Sequence, residues 1–255
     1  MRRALLPSFA LLLAAATLAR AADVPARIVP DTLARRLAAC TSCHGSADAP
    51  AAPDTATGTG AGNEGRRYFP RIAGKPAGYL LNQMHNFRDG RRQYPLMTWM
   101  VSPLSEDYLR EIAGWFAGQH LPAPVLDRAS LPAADIARGR RLVMEGDPAA
   151  RLPACVACHG ARLTGTQPAI PGLLGLPRDY INAQFGAWRN GTRRALAPDC
   201  MATIATRLAP ADVVAVSAWL ASEPLPADPA PAPDVAAAGV ARPLPLACGS
   251  APETP

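Results

Sequence analysis

Aromatic residues are scarce, at 5% of the 255 residues. That share argues against a large β-sandwich, whose faces draw on aromatic and β-branched side chains. The 28 prolines and 20 glycines point instead to short helices joined by irregular loops. A strong excess of one charge is also missing. The formal net charge is +6, but Arg2, Arg3 and Arg20 fall in an N-terminal segment read below as cleaved, which leaves 23 basic against 20 acidic residues. With that remainder spread over both halves of the chain, nucleic acid is not an expected partner. Beyond residue 21 no apolar run approaches the roughly 20 residues that a spanning helix needs. No serine triad or phosphate-cradling loop is present.

The N-terminus carries a targeting signature. Met1-Arg2-Arg3 is a short positive region, residues 4–18 are largely apolar, and Ala19-Arg20-Ala21 is a small-x-small cleavage site. Residues 1–21 therefore read as a secretory signal peptide, and the mature chain is expected in the periplasm. That compartment is oxidising and permits disulfides.

Six cysteines remain to be explained, and four of them fall into two copies of one pattern. Cys40-Thr41-Ser42-Cys43-His44 and Cys155-Val156-Ala157-Cys158-His159 both read C-x-x-C-H, the attachment signature of a c-type haem. Two thiols on one helical turn can form thioethers to the two haem vinyl groups, and the adjacent imidazole can reach the iron. A zinc ribbon would need its cysteine pairs roughly 15–20 residues apart, whereas these are separated by 115. A thioredoxin-like pair would need a surrounding βαβ pattern, which is not visible. Two covalently attached c-type haems are the cofactors expected.

An internal repeat identifies further residues. Residues 70–90 align without gaps onto 171–191, matching Pro70 with Pro171, Gly74 with Gly175, Pro76 with Pro177, Tyr79 with Tyr180, Gln83 with Gln184, Phe87 with Trp188, Arg88 with Arg189 and Gly90 with Gly191. The chain is a tandem duplication. The larger offset at the haem motifs comes from a Gly/Ala/Thr-rich insert at about 47–65, which reads as a mobile loop. Farther on, Met97 and Met201 each stand seven residues before a leucine, Leu104 and Leu208, that opens a polar turn. A thioether is a soft neutral ligand that favours ferrous iron, so the metal ligands expected are His44 and Met97 in the first half and His159 and Met201 in the second. The repeat partners of Met100 and Met84 are Ile204 and Phe185, which assigns both methionines to the core. His85 and His120 have no counterpart in such a scheme and are read as surface or structural groups.

Other residues keep two readings. The carbonyls of Pro70 and Pro171 could accept the second ring proton of each motif histidine, or these prolines only fix a loop. Arg88 and Arg189 could pair with haem propionates, or simply end solvated helices. Tyr79 and Tyr180 are open in the same way. Trp115 and Trp219 read as packing residues. Cys200 and Cys248, left over after the haem thioethers, could form a disulfide.

On the two C-x-x-C-H-G motifs, the repeated P-x-x-x-G-x-P-x-x-Y block followed by F/W-R-x-G, and the paired Met97 and Met201, the chain resembles the dihaem cytochrome c4 family over about residues 32–222. The resemblance implies an all-α fold of two tandem class I cytochrome c domains, each wrapped around a covalent haem with His/Met ligation, and haem edges brought close at an interface. It also implies a periplasmic electron carrier, not an enzyme, running from a quinol-oxidising complex or dehydrogenase towards a terminal oxidase. Any membrane association would come through such partners. Two alternatives stand beside that reading: a subunit docked to a specific periplasmic dehydrogenase, or a dihaem oxidoreductase of the thiosulfate dehydrogenase or peroxidase type. The insert, Cys200 beside Met201 and the Pro/Ala-rich tail depart from the family pattern.

The expected organisation is then a signal peptide at 1–21, an N-terminal domain at 22–120, a proline-rich linker at 121–131, a C-terminal domain at 132–222 and a disordered tail at 223–255. Helices are expected from the cap at Thr32 to Ala39 and over 134–145, 78–88, 179–189, 105–117 and 210–221, where apolar residues recur at helical spacing.

Overall fold

The computed structural model describes residues 32–45, 69–124, 126, 131–233 and 244–251. The signal segment and the 47–65 insert lie outside the described residues, as do parts of the linker and the tail.

The first half contains α1 (Leu33–Arg36), α2 (Ala38–His44), α3 (Ala77–Arg88), α4 (Pro95–Val101) and α5 (Glu106–Ala117). The second contains α6 (Ala133–Met144), α7 (Val156–His159), α8 (Arg178–Arg189), α9 (Cys200–Arg207) and α10 (Pro210–Ser222). Between α7 and α8, a minimal antiparallel pair joins β1 (Gly165–Thr166) to β2 (Ile170–Pro171).

Local chemistry sets these boundaries. The Thr32 hydroxyl accepts from the Arg35 amide to cap α1, and Ser105 caps α5 through the Tyr108 amide. Pro76 and Pro177 each stand immediately before a middle helix, where a missing N–H costs nothing. The first helix is shorter than expected, because Leu37 breaks it and a separate helix carries the haem motif. Helices α4 and α9 add to those expected, since seven or eight residues show little periodicity. Pro95 starts α4, while the Asp199 carboxylate accepts from the Ala202 amide at 3.0 Å to cap α9.

Each half buries its own apolar cluster. In the first, Leu37, Phe87, Leu109 and Phe116 pack together; in the second, Leu142, Val143, Val216 and Trp219 do so. Trp219 is buried, and the Trp115 ring stands edge-on to Phe116 with centroids 4.8 Å apart, so both tryptophans pack. Helices α6 and α10 approach so closely at Gly139 that an added Cβ there would collide with the Ala215 carbonyl. Gly139→Ala is therefore expected to destabilise the second half by roughly 1–3 kcal/mol, as overpacking does, measured as a lowered denaturant midpoint.

The halves are joined by backbone as well as side chains. Arg92 and Arg193 form an antiparallel bridge, flanked by bonds from the Gln93 amide to the Thr192 carbonyl (2.7 Å) and from the Arg194 amide to the Arg91 carbonyl (2.6 Å). The Gly78 amide donates to the Pro168 carbonyl at 3.1 Å, and Lys75 Nζ donates to the Gly172 carbonyl at 2.6 Å.

Composition predicts a tail without order, but its described segments make defined contacts. Ala232 exchanges backbone bonds with Gly165 and Gln167, each 2.9 Å, so this segment runs along the β1 turn. Farther on, Cys248 is disulfide-bonded to Cys200, the Gly249 amide donates to the Pro198 carbonyl, and Asn82 of the first half donates to the Ser250 carbonyl. A covalent link and backbone bonds supply the order that a Pro/Ala sequence cannot generate by periodicity.

Candidate functional site

The turns that follow α2 and α7 fix each motif histidine from one side. His44 Nδ1 lies 3.0 Å from the Pro70 carbonyl and His159 Nδ1 lies 2.7 Å from that of Pro171. With a carbonyl as partner, Nδ1 must donate, which leaves Nε2 as the lone-pair nitrogen available to a metal. Burial lowers the pKa of both imidazoles, against the opposing pull of those carbonyls, and so favours the neutral form that a metal binds. Phe116 stands edge-on to the His44 ring, with centroids 6.4 Å apart.

The remaining motif residues open onto one continuous cavity of about 720 Å³ that extends through both halves. Cys40, Cys43, His44 and Met97 line it in the first half; Cys155, Cys158, His159 and Met201 line it in the second. All eight residues singled out in the sequence thus reach a common space. Its walls are largely apolar, including Leu80, Phe87, Ile112, Ile181 and Leu220. Burial pushes the Cys155 thiol up to about 12, and it raises the thiols of Cys40 and Cys158 as well. Thiols held protonated in an apolar wall are poor ligands for a free metal ion, and among the described residues no cluster of three or more His, Cys, Asp or Glu could hold one. The donor set instead suits a large apolar group carrying its own metal. The free Nε2 nitrogens, the paired thiols and the thioethers in the same space all fit haem, with thiols to attach it and imidazoles and thioethers available to its iron.

Other sequence candidates lie elsewhere or take one of their two readings. Arg88 pairs with Glu106 at 3.4 Å, and Arg189 donates to the Leu208 carbonyl, also at 3.4 Å, so both tie helix ends. His85 Nε2 lies 3.0 Å from Glu106, a structural contact, and His120 is exposed. Met84 is buried in the first cluster as expected. Met100, expected in the core, is only partly buried and lines the cavity, because α4 runs along its wall; Tyr79 lines it too. The Tyr180 hydroxyl accepts from Arg92 at 2.9 Å.

The sequence reading missed Arg92 and Arg193, which also line the cavity. The signal was available: the repeat continues two residues beyond Gly90 and Gly191, where these arginines coincide.

The Cys200–Cys248 disulfide lies next to Met201 and spans 48 residues. Closing a loop of that length stabilises the folded chain by about 4 kcal/mol on the chain-entropy account. Cys248→Ser should lower the unfolding free energy by up to that amount, and denaturant titration with and without reductant would measure it.

The fold and the paired sites define a dihaem c-type cytochrome: two tandem class I cytochrome c domains carrying two covalently attached haems. No protein-family model matches the chain. The "Thiosulfate dehydrogenase electron acceptor" of Thiomonas intermedia (strain K12) is 35% identical over 193 residues, covering 74% of this chain and 80% of that protein. Cytochrome c4 of Pseudomonas aeruginosa is 32% identical over 187 residues, covering 72% and 84%. The solved thiosulfate dehydrogenase TsdBA from Marichromatium purpuratum superposes with a TM-score of 0.60 at 31% identity, covering 73% of this chain but 36% of that longer one. The chain belongs to the dihaem cytochrome c4 family, and it transfers electrons between redox partners rather than catalysing a reaction of its own.

Proposed function

We propose that this cytochrome is the electron acceptor of a periplasmic thiosulfate dehydrogenase, with Cys40 and Cys43 attaching one haem and Cys155 and Cys158 the other. His44 with Met97, and His159 with Met201, would hold the two haem irons. The observation that carries the ligand set is the pair of Nδ1 contacts to Pro70 and Pro171, which orient both imidazoles alike in the shared cavity. When bound, haem supplies a one-electron ferric/ferrous couple; the chain's residues hold it, exclude water and set its potential.

The choice of partner rests on the Thiomonas relative's name and on the TsdBA resemblance. These favour a dehydrogenase-linked role over a general shuttle to a terminal oxidase. A donor that delivers two electrons per oxidation could pass one to each of the two haems. Helix α4, which carries Met97, also exposes Trp99 at 72%, an apolar side chain suited to a redox partner beside the first site. The N-terminal signature supports an encounter in the periplasm.

Stopped-flow mixing of the oxidised, haem-loaded protein with a thiosulfate dehydrogenase and thiosulfate tests this reading. Both haems should be reduced with a second-order rate constant of about 10⁵ M⁻¹s⁻¹ or more, and Trp99→Ala should slow the reaction. Reduction by a quinol-oxidising complex but not by the dehydrogenase would overturn the proposed partner.

A further inference from the structure

A second, small cavity of about 70 Å³ lies where the first half, the second half and the tail meet. Arg71, Lys75 and His120 line it from the first half, Thr164 and Gly172 from the second, and Pro229 from the tail. Its volume is several times what one water needs. Arg71, Lys75 and Gly172 border the large cavity too and so stand between the two, while His120, Thr164 and Pro229 belong to the small one alone. The tail wall is held in place by the Ala232 backbone bonds and by Arg162, which pairs with Asp228 at 3.2 Å.

The polar groups around this space are cations bonded to neutral oxygens. Lys75 is 8% exposed, and its Nζ donates to the Gly172 carbonyl at 2.6 Å. An ammonium has three N–H donors, and that bond uses one. Arg71 donates from Nη1 to the Pro122 carbonyl at 2.7 Å and from Nη2 to the Leu121 carbonyl at 2.6 Å. Burial, followed by the like charge of Arg71, pushes the Lys75 ammonium down to about 7, and burial lowers the Arg71 guanidinium as well. Among the described residues no acidic side chain lines the cavity. Asp228 acts on His120 but is engaged by Arg162 and by the Ala230 amide. Two neighbouring cations, one of them buried, therefore lack a counter-ion, an arrangement that is costly unless an anion completes it.

The internal repeat separates these charges from the machinery that both halves share. At the offset that matches Pro70 with Pro171, Arg71 falls on Gly172 and Lys75 on Leu176. The second half binds its haem without a cation at either position, so the pair answers to something that the first half alone provides.

We propose that Arg71 and Lys75, with Thr164 and His120 beside them, form a binding site for one small tetrahedral oxyanion of the sulfate or phosphate type in this cavity. A tetrahedral oxyanion offers several acceptor oxygens at once, which suits an ammonium with spare donors and a guanidinium through charge-assisted hydrogen bonds. The bound anion would face the first half, the second half and the tail together, and so would act as a clasp between them. The site is separate from the iron ligands and from the choice of redox partner.

The test is isothermal titration of the full, oxidised, haem-loaded protein with sodium sulfate, sodium phosphate and sodium chloride at matched ionic strength. One sulfate should bind per chain with a dissociation constant below about 1 mM, phosphate should compete for the same site, and chloride should give no saturable heat. Sulfate should also raise the denaturant midpoint, because it binds the folded chain. Lys75→Met and Arg71→Gln should each weaken sulfate binding at least tenfold while both haems are retained. If Lys75→Met does not retain two haems, Arg71→Gln and the wild-type isotherm decide. Two outcomes would overturn the site: no saturable sulfate binding to the wild-type protein, or equal affinity in the wild type and the variants, which would place the anion elsewhere on the surface.

Discussion

Met201→Ala is expected to lower the second haem's potential on the order of 0.1–0.2 V, a fraction of the roughly 0.8 V range that axial ligands span. A thioether favours ferrous iron, so removing it stabilises the ferric state and leaves one face of that iron open. The helix should survive the change. Asp199 caps α9 and Cys200 ties it to the tail, while Met201 is only partly buried against the second core. The first haem should keep its potential, and Met97→Ala should produce the mirror result. Redox titration, together with carbon monoxide binding to the reduced protein, checks this. An unchanged second midpoint and no binding would remove Met201 from the ligand set.

A larger effect on stability is expected from Cys155→Ser combined with Cys158→Ser. The haem count should fall from two to one, because covalent attachment through that motif is lost. The second cluster would also lose the group that its cavity-facing side chains, including Ile181, Phe185, Val216 and Leu220, pack around. The resulting loss is on the order of 5 kcal/mol or more, comparable to the whole stability of a small domain. A haem assay and a denaturant titration measure it, with unfolding of the second half expected ahead of the first. Two haems per chain in this variant would contradict the assignment of the motif.

Much of the site was legible because chemistry and repetition coincided in the sequence. The two C-x-x-C-H motifs named the cofactor, and the paired columns singled out Met97 and Met201, which both reach the cavity. The same columns placed Met100 in the core, whereas the fold turns it to the cavity wall, a matter of how α4 lies rather than of any pattern in the chain. The long helices followed from apolar spacing and caps, to within a residue or two at most boundaries. What could not be read depends on contacts between distant segments. The Arg92 and Arg193 junction exists only when the halves meet. The tail's placement depends on one disulfide and a few backbone bonds, which leave no periodic trace. Arg88 offered the same chemistry as Arg92, but only the fold shows that Glu106 engages it.

One chain holding two haems, each iron bound by a histidine and a methionine, is the claim on which the other expectations rest. Magnetic circular dichroism of the purified oxidised protein, calibrated by haem content, tests it directly. Two haems per chain are expected, both low-spin, each with the charge-transfer band of methionine ligation. A high-spin centre, a bis-histidine or thiolate signature, or fewer than two haems would contradict it.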